Sequence, residues 1–233
     1  MALVAFDTCF GAVSVAVRYR APSGDWHIRE SYEARQTGHA ERLMPMIAEI
    51  MADAGLAFDR IERFAVTVGP GSFTGVRVGV AAARAFALAA GRPVVGVSSL
   101  EVIAARGRHL LGARCDGRTL MVAVDARRGG LYCALHRDGT TAGDIGPMLL
   151  FPQDAIALAG DHNALVIGSG GPILANHAAA TGHTIDTELA SIEPHARYLA
   201  LLAADRASTP NPAPLYLRSP DVRPQPGPIA RQT

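Results

Sequence analysis

The chain has 233 residues, 49% hydrophobic and 18% charged, which is enough apolar material for one large or two small folded units. Lysine plus arginine (22) nearly balance aspartate plus glutamate (21), so no global field draws it to nucleic acid or an anionic membrane, and any RNA contact must be local or indirect. Cys9, Cys115 and Cys133 are odd in number, widely spaced and without CxxC pairing, which argues against a disulfide framework and a zinc knuckle.

The opening MALVAFDTCF lacks a basic leader region and carries Asp7 within its apolar run, the pattern of a first strand and not of a signal peptide. No stretch approaches the ~20 apolar residues of a membrane span, so a cytoplasmic protein without a membrane partner is expected. Residues 2–8 and 12–19 are β-rich runs separated by CFG, and residues 26–34 supply a third strand, forming an antiparallel meander. After Thr37, the apolar residues Leu43, Met46, Ile47, Ile50, Met51 and Ala54 follow a helical stripe ending near Gly55. Pro45 interrupts it. The helix either starts near Met44, or starts near His39 and bends where the proline removes a hydrogen bond.

A short buried strand at 64–68, a glycine turn, a helix reaching Ala90 and a strand at 93–97 predict a parallel crossover, and SSLE caps a following helix. Between Arg106 and Arg118 no period is visible, and a boundary is expected there, giving units 1–106 and 107–218. The order then restarts. Residues 119–125 and 130–137 form a second hairpin around ARRG, 152–159 a short helix, 165–167 a strand running into GSGG, and 194–207 a last helix. The proline-punctuated end, 219–233, is expected to be a flexible tail. Two units that each open with an Asp-bearing hairpin suggest a duplicated α/β architecture.

GPGSFTG, Gly69 to Gly75, joins a strand to a helix and invites comparison with a phosphate-binding loop. That loop needs GxxxxGK[ST], whose lysine reaches the terminal phosphates; here Val76 follows the glycine. Ser72 or Thr74 caps the helix instead, and anion binding by bare helix N–H groups stays open. Gly75, Gly79, Ala83 and Ala87 recur every four residues as one smooth face. Helix-interior glycine costs up to ~1 kcal/mol relative to alanine, so close packing must justify it, against either the chain's own sheet or another subunit.

Asp7-Thr8 at a strand end could face a phosphate and its metal, although such acids are also ordinary turn chemistry. Asp125 in VDARRGG holds the equivalent place in the second unit, and the glycines of GSGG, Gly168 and Gly170 among them, are weak evidence alone. No histidine pair has helix-face ligand spacing, no GxSxG elbow is present, and no metal site or catalytic residue is assigned.

Together LVAFDTCFGAVSVAV, QTGHAERLMPMI, VTVGPGSFTGVRVGVAAARAFA, PVVGVSSLE, VDARRGGLYCAL and APLYLR resemble the TsaB family, also called YeaZ, of bacterial tRNA threonylcarbamoyladenosine biosynthesis proteins, over residues 2 to about 218. The resemblance implies a duplicated α/β fold of the actin-like, Hsp70-like and sugar-kinase-like (ASKHA) kind. It implies a non-catalytic partner of the catalytic subunit TsaD that works with the ATPase TsaE in transferring threonylcarbamoyl to N6 of adenosine 37 in tRNAs reading codons beginning with A. TsaD carries a histidine metal motif that has no counterpart here. Asp7, Thr8, Asp125, Gly168 and Gly170 then correspond to a vestigial nucleotide site, with no cofactor beyond weak residual nucleotide binding. The helices at 39–54 and 73–90 correspond to the pairing surface for TsaD or a second copy, carried by His39, Leu43, Met46, Ile50, Phe73, Gly75, Val76, Gly79 and Ala83. Gly79→Leu is accordingly expected to abolish pairing while leaving the monomer intact, and tRNA is expected to be contacted indirectly, through the complex. The rival from another class is a nucleotide-hydrolysing or peptidase-like enzyme of the same superfamily.

Overall fold

A computed structural model describes residues 2–138 and 145–218. Its first sheet begins with the meander β1 (Ala2–Asp7), β2 (Ala12–Arg20) and β3 (Trp26–Ala34), in which β1 and β2 are paired from Ala2 opposite Tyr19 to Asp7 opposite Ser14. Every side chain of β1 is buried, because the strand is central and both of its faces are covered. Helix α1 (His39–Asp53) follows and contains Pro45 in its second turn, so the earlier of the two expected starts holds. Strand β4 (Arg63–Thr67), helix α2 (Phe73–Ala90) and strand β5 (Val94–Val97) complete the crossover unit. Ser72 caps α2 by accepting the Gly75 N–H at 3.0 Å, and Gly91 at φ 62 ends it.

The second sheet repeats the plan with β6 (Leu120–Asp125), β7 (Leu131–His136), β8 (Ile145–Leu150), β9 (Leu165–Ile167) and β10 (Thr187–Glu188). Strand orders are β3-β2-β1-β4-β5 and β8-β7-β6-β9-β10, with the hairpin partners antiparallel and the remaining neighbours parallel in both. Helices α4 (Pro152–Asp161) and α5 (Gly171–Ala180) flank this sheet. Strands β8 and β10 have no counterpart among the expected elements. The duplicated α/β fold is therefore present in strand order as well as in sequence order.

The expected unit boundary is corrected. Residues 106 and 107 lie inside α3 (Ser99–Leu111), an unbroken helix capped by Ser98. Leu100, Ile103, Ala104 and Leu111 of α3 pack with Leu120, Val122 and Ile167 of the second sheet. Helix α6 (Ala196–Ala203), placed by position in the second unit, instead sets Ala196, Leu199, Ala200 and Ala203 against Leu3, Ala5, Ala65 and Val95 of the first. Each sheet thus takes a helix from the far part of the chain. Arg63 ties the exchange by donating to the carbonyls of Ala203, Ala204 and Arg206, and Arg206 pairs with Glu101. Beyond α6 the chain returns along the first sheet, where Thr209 N–H donates to Val94 O and Leu215 N–H to Val68 O, both at 2.7 Å. The expected tail, 219–233, lies outside the described residues.

Contrary to the sequence expectation, α2 is long and apolar enough to match a membrane span by length and composition. One side of it is built into the first sheet, where Val76, Val80 and Ala83 are buried, and Arg77 and Arg84 interrupt the other.

Candidate functional site in the cleft between the sheets

The two topologically equivalent hairpins, β1–β2 and β6–β7, have opposite environments. In the first, Asp7 is 1% exposed. Its Oδ1 accepts from the Thr67 hydroxyl and from Cys9 N–H at 3.3 Å, while Oδ2 has no partner among the described residues. Burial pushes the carboxyl above its ordinary range, and the bonds from Thr67 and Cys9 pull it only partly back. Burial likewise raises the Cys9 thiol well above its usual value, with the neighbouring Asp7 adding to it, so Cys9 is not an activated nucleophile.

Helix α2 seals this turn. The Thr8 hydroxyl donates to Gly75 O at 2.7 Å. A Cβ on Gly75 would collide with the Thr8 carbonyl, one on Gly79 would stand 2.8 Å from Thr8 Oγ1, and one on Gly71 2.5 Å from Cys9 O. The four-residue repeat of small residues is therefore explained within the chain. Asp7 and Thr8, expected to face a phosphate, are enclosed and line no part of the cleft. The same geometry corrects part of the expected pairing surface: Leu43, Met46, Ile50, Val76, Gly79 and Ala83 are buried in the chain's own core and Gly75 is pressed on Thr8, so none presents a contact face. Gly79→Leu would collide with Thr8 and Val66 before it reached any partner.

The outward residues of α1 and α2 are a different set. Met44 is 52% and Leu88 87% exposed, and Pro45, Ala48, Ala81 and Ala85 are exposed around them. These two helices contact one another side by side on the first sheet.

The second hairpin opens into a cleft of about 1070 Å3 lined from both sheets. Asp125 is half-buried there; its Oδ1 accepts Arg127 N–H at 2.7 Å and its own N–H donates to Ser169 Oγ at 3.0 Å. Gly168 and Gly170 do not line the cleft. They let the turn after β9 approach β6, where Gly170 N–H donates to Ala123 O at 2.9 Å and a Cβ on either would crowd Ala123. Only Ser169 of that turn reaches the cavity. His39 does line it, with Nε2 2.9 Å from Phe10 O, so its ring is bonded within the chain. Phe73 lines it too, 40% exposed.

Sequence reasoning missed Glu193 and gave no role to Tyr216 or Arg218. Burial, then the nearby Asp7, push Glu193 up to about 7, against the Gly11 N–H and Arg106. No local pattern in SIEPHARY marks it, since the loop before α6 carries it to the cleft. Tyr216 accepts from Arg77 Nε at 2.7 Å, and Arg218 donates to the carbonyls of Ala126 and Arg127. Among the described residues no group of three His, Cys, Asp or Glu side chains converges as a metal site.

Residues 32–200 match the family model described as TsaD, tRNA N6-adenosine threonylcarbamoyltransferase. The tRNA threonylcarbamoyladenosine biosynthesis protein TsaB of Haemophilus influenzae is 33% identical over 73% of this chain and 72% of its own length. An uncharacterized protein of Mycobacterium tuberculosis is 36% identical over 95% of this chain and 94% of its own, whereas the chain spans 56% of a Mycobacterium leprae relative that is 34% identical. Among solved structures, YeaZ from Pseudomonas aeruginosa superposes with a TM-score of 0.74 at 27% identity, covering 93% of this chain and 99% of that one. With the duplicated fold, the GPGSFTG turn and these relatives in agreement, the chain belongs to the TsaB (YeaZ) family.

Proposed function

We propose that this chain takes part in tRNA threonylcarbamoyladenosine synthesis as a non-catalytic subunit that pairs with TsaD and works with TsaE, without a cofactor of its own, in the cytoplasm. The observation that carries the non-catalytic reading is the enclosure of Asp7 and Thr8 at the end of β1. A nucleotide hydrolase of this fold would need Asp7 or Thr8 at a phosphate, and α2's glycines close that approach. Pairing is assigned to the outward faces of α1 and α2, centred on Met44 and Leu88. Burying one such side chain contributes ~1.5–3 kcal/mol, against several kcal/mol of lost freedom on association, so the surrounding alanines must pack closely as well. A second copy of the chain would compete for the same face.

Leu88→Glu with Ala85→Glu tests this. The double variant is expected to keep the parental melting temperature, lose co-purification with TsaD, and lower reconstituted modification by TsaD and TsaE at least tenfold. Unchanged pairing would overturn the surface. ATP turnover by the isolated chain that disappears in Asp7→Ala would overturn the non-catalytic assignment and favour the enzyme reading.

A further inference from the structure

We infer that the lip of the cleft, formed by the Arg127–Arg128 turn and the Phe73–Arg77–Tyr216 stack, binds single-stranded RNA directly. Arg127 and Arg128 both adopt left-handed backbone angles, φ 63 and 53, ahead of Gly129 at φ 76. That conformation is unfavourable for a residue with a side chain and ordinary for glycine or asparagine, so two successive arginines sit there against local backbone preference. Both are exposed and line the cleft. Arg218 fastens the turn by donating to the carbonyls of Ala126 and Arg127 at 3.2–3.3 Å, and through it the turn is fixed to Tyr216 two residues earlier.

At Tyr216 the chemistry becomes aromatic. Its ring centroid lies 5.5 Å from that of Phe73, and the Arg77 guanidinium lies 3.6 Å over Phe73 while donating to the Tyr216 hydroxyl. The two rings remain 40% and 41% exposed, which leaves surface on which a base can stack. Arginines beside half-exposed rings are the chemistry that holds a phosphodiester and its base. The same chemistry would suit a free nucleotide. The carboxylate of Asp125 shares the cleft, however, and opposes a compact polyphosphate, whereas a strand along the lip presents one charge at a time to the exposed arginines. The near-zero net charge of the chain makes this lip a local feature.

The choice of RNA as the phosphate source rests on the proposed role in tRNA modification; the phosphate-and-base site does not. The test is fluorescence anisotropy of the full chain with a labelled single-stranded oligoribonucleotide of about ten nucleotides, titrated at several salt concentrations, with ADP as competitor. Arg127→Asn with Arg128→Gly places residues suited to the left-handed backbone at both positions. It is expected to bind the oligonucleotide at least tenfold more weakly, and Arg127→Asn alone is expected to melt no lower than the parent and to reduce the slope of log K against log salt by about 0.7, one phosphate's worth on a single strand. Phe73→Leu with Tyr216→Leu is expected to weaken binding while leaving that slope unchanged. Undiminished RNA binding by the arginine variant overturns the inference, as does absent RNA binding by the parent, whether or not ADP binds. Co-purification of the arginine variant with TsaD, measured in parallel, reports on the pairing surface separately, so the two proposals can fail independently.

Discussion

The hairpins β1–β2 and β6–β7 occupy the same place in the same strand order, yet in one the strand-end residues Asp7, Thr8 and Cys9 are enclosed, and in the other Asp125 lies open on a cleft. The difference lies in the turn that leaves each hairpin's parallel neighbour, β4 in one sheet and β9 in the other. After β4 the glycines of GPGSFTG and α2 bring backbone directly onto Thr8 and Cys9, with Ser72 N–H donating to Cys9 O at 2.7 Å. After β9 the GSGG turn approaches Ala123, earlier on β6, and presents Ser169 to the Asp125 end. A fold can thus be duplicated without duplicating its site: where small residues carry the backbone determines which strand-end acid keeps access to the cleft.

The contrast can be broken from the closed side. Gly75→Ala adds a methyl group where the Thr8 carbonyl stands, and backbone cannot yield as a flexible side chain would. A loss of about 3 kcal/mol in urea unfolding is expected, the largest effect of the set; an unchanged midpoint would contradict the seal.

The buried acids sharpen the contrast through pH. Both Asp7 and Glu193 have folded-state pKa values raised by burial. Their protonated forms are favoured in the folded state, so the associated stability is fully present below the unfolded pKa and is lost as pH rises through the folded one. For Glu193 that window runs from the ordinary glutamate range, ~4.3, to about 7. Asp7→Asn keeps an acceptor for Thr67 and Cys9 and is expected to raise the melting temperature at pH 8, with the gain shrinking toward pH 4. Glu193→Gln should behave similarly, with its gain developing between pH ~4.3 and about 7. Since Asp7 contributes to the Glu193 shift, the combined variant should gain less than the sum. Melting curves that parallel the parent's across this range would show that neither acid is held protonated.

The smallest effect belongs to the open side. Arg127→Asn is expected to gain about 0.5–1 kcal/mol from relieved backbone strain, since asparagine adopts the left-handed region more readily than arginine. Equal or lower stability would remove the argument from strain, while the RNA titration stands as its own measurement.

Much of the fold was legible because its signals are local. Runs of β-forming residues gave β1, β2 and β3, the apolar stripe gave α1, and Ser72 and Gly91 bracket α2 where a cap and a stop belong. Less of the site was legible. Asp125 was singled out and does reach the cleft, but Glu193, Tyr216 and Arg218 arrive from the last part of the chain by long-range packing that no spacing encodes. The boundary after residue 106 failed for the same reason: the arginines and glycine of α3 obscure its period, and the burial of Leu100 and Ile103 depends on a strand that comes later.

The amino-acid order by itself determined the family, the sequence of strands and helices and the lack of a lysine in the glycine turn, since each is read from neighbours along the chain. Tertiary structure alone decided which way each face turns. The periodic stripe of α1 and the glycine row of α2 mark close packing without naming what they pack against, because burial against one's own sheet and burial against a partner demand the same residue types. In this chain the stripe and the row face inward, Asp7 is enclosed, and the residues left exposed are Met44 and Leu88 on the helices and Arg127 and Arg128 at the cleft.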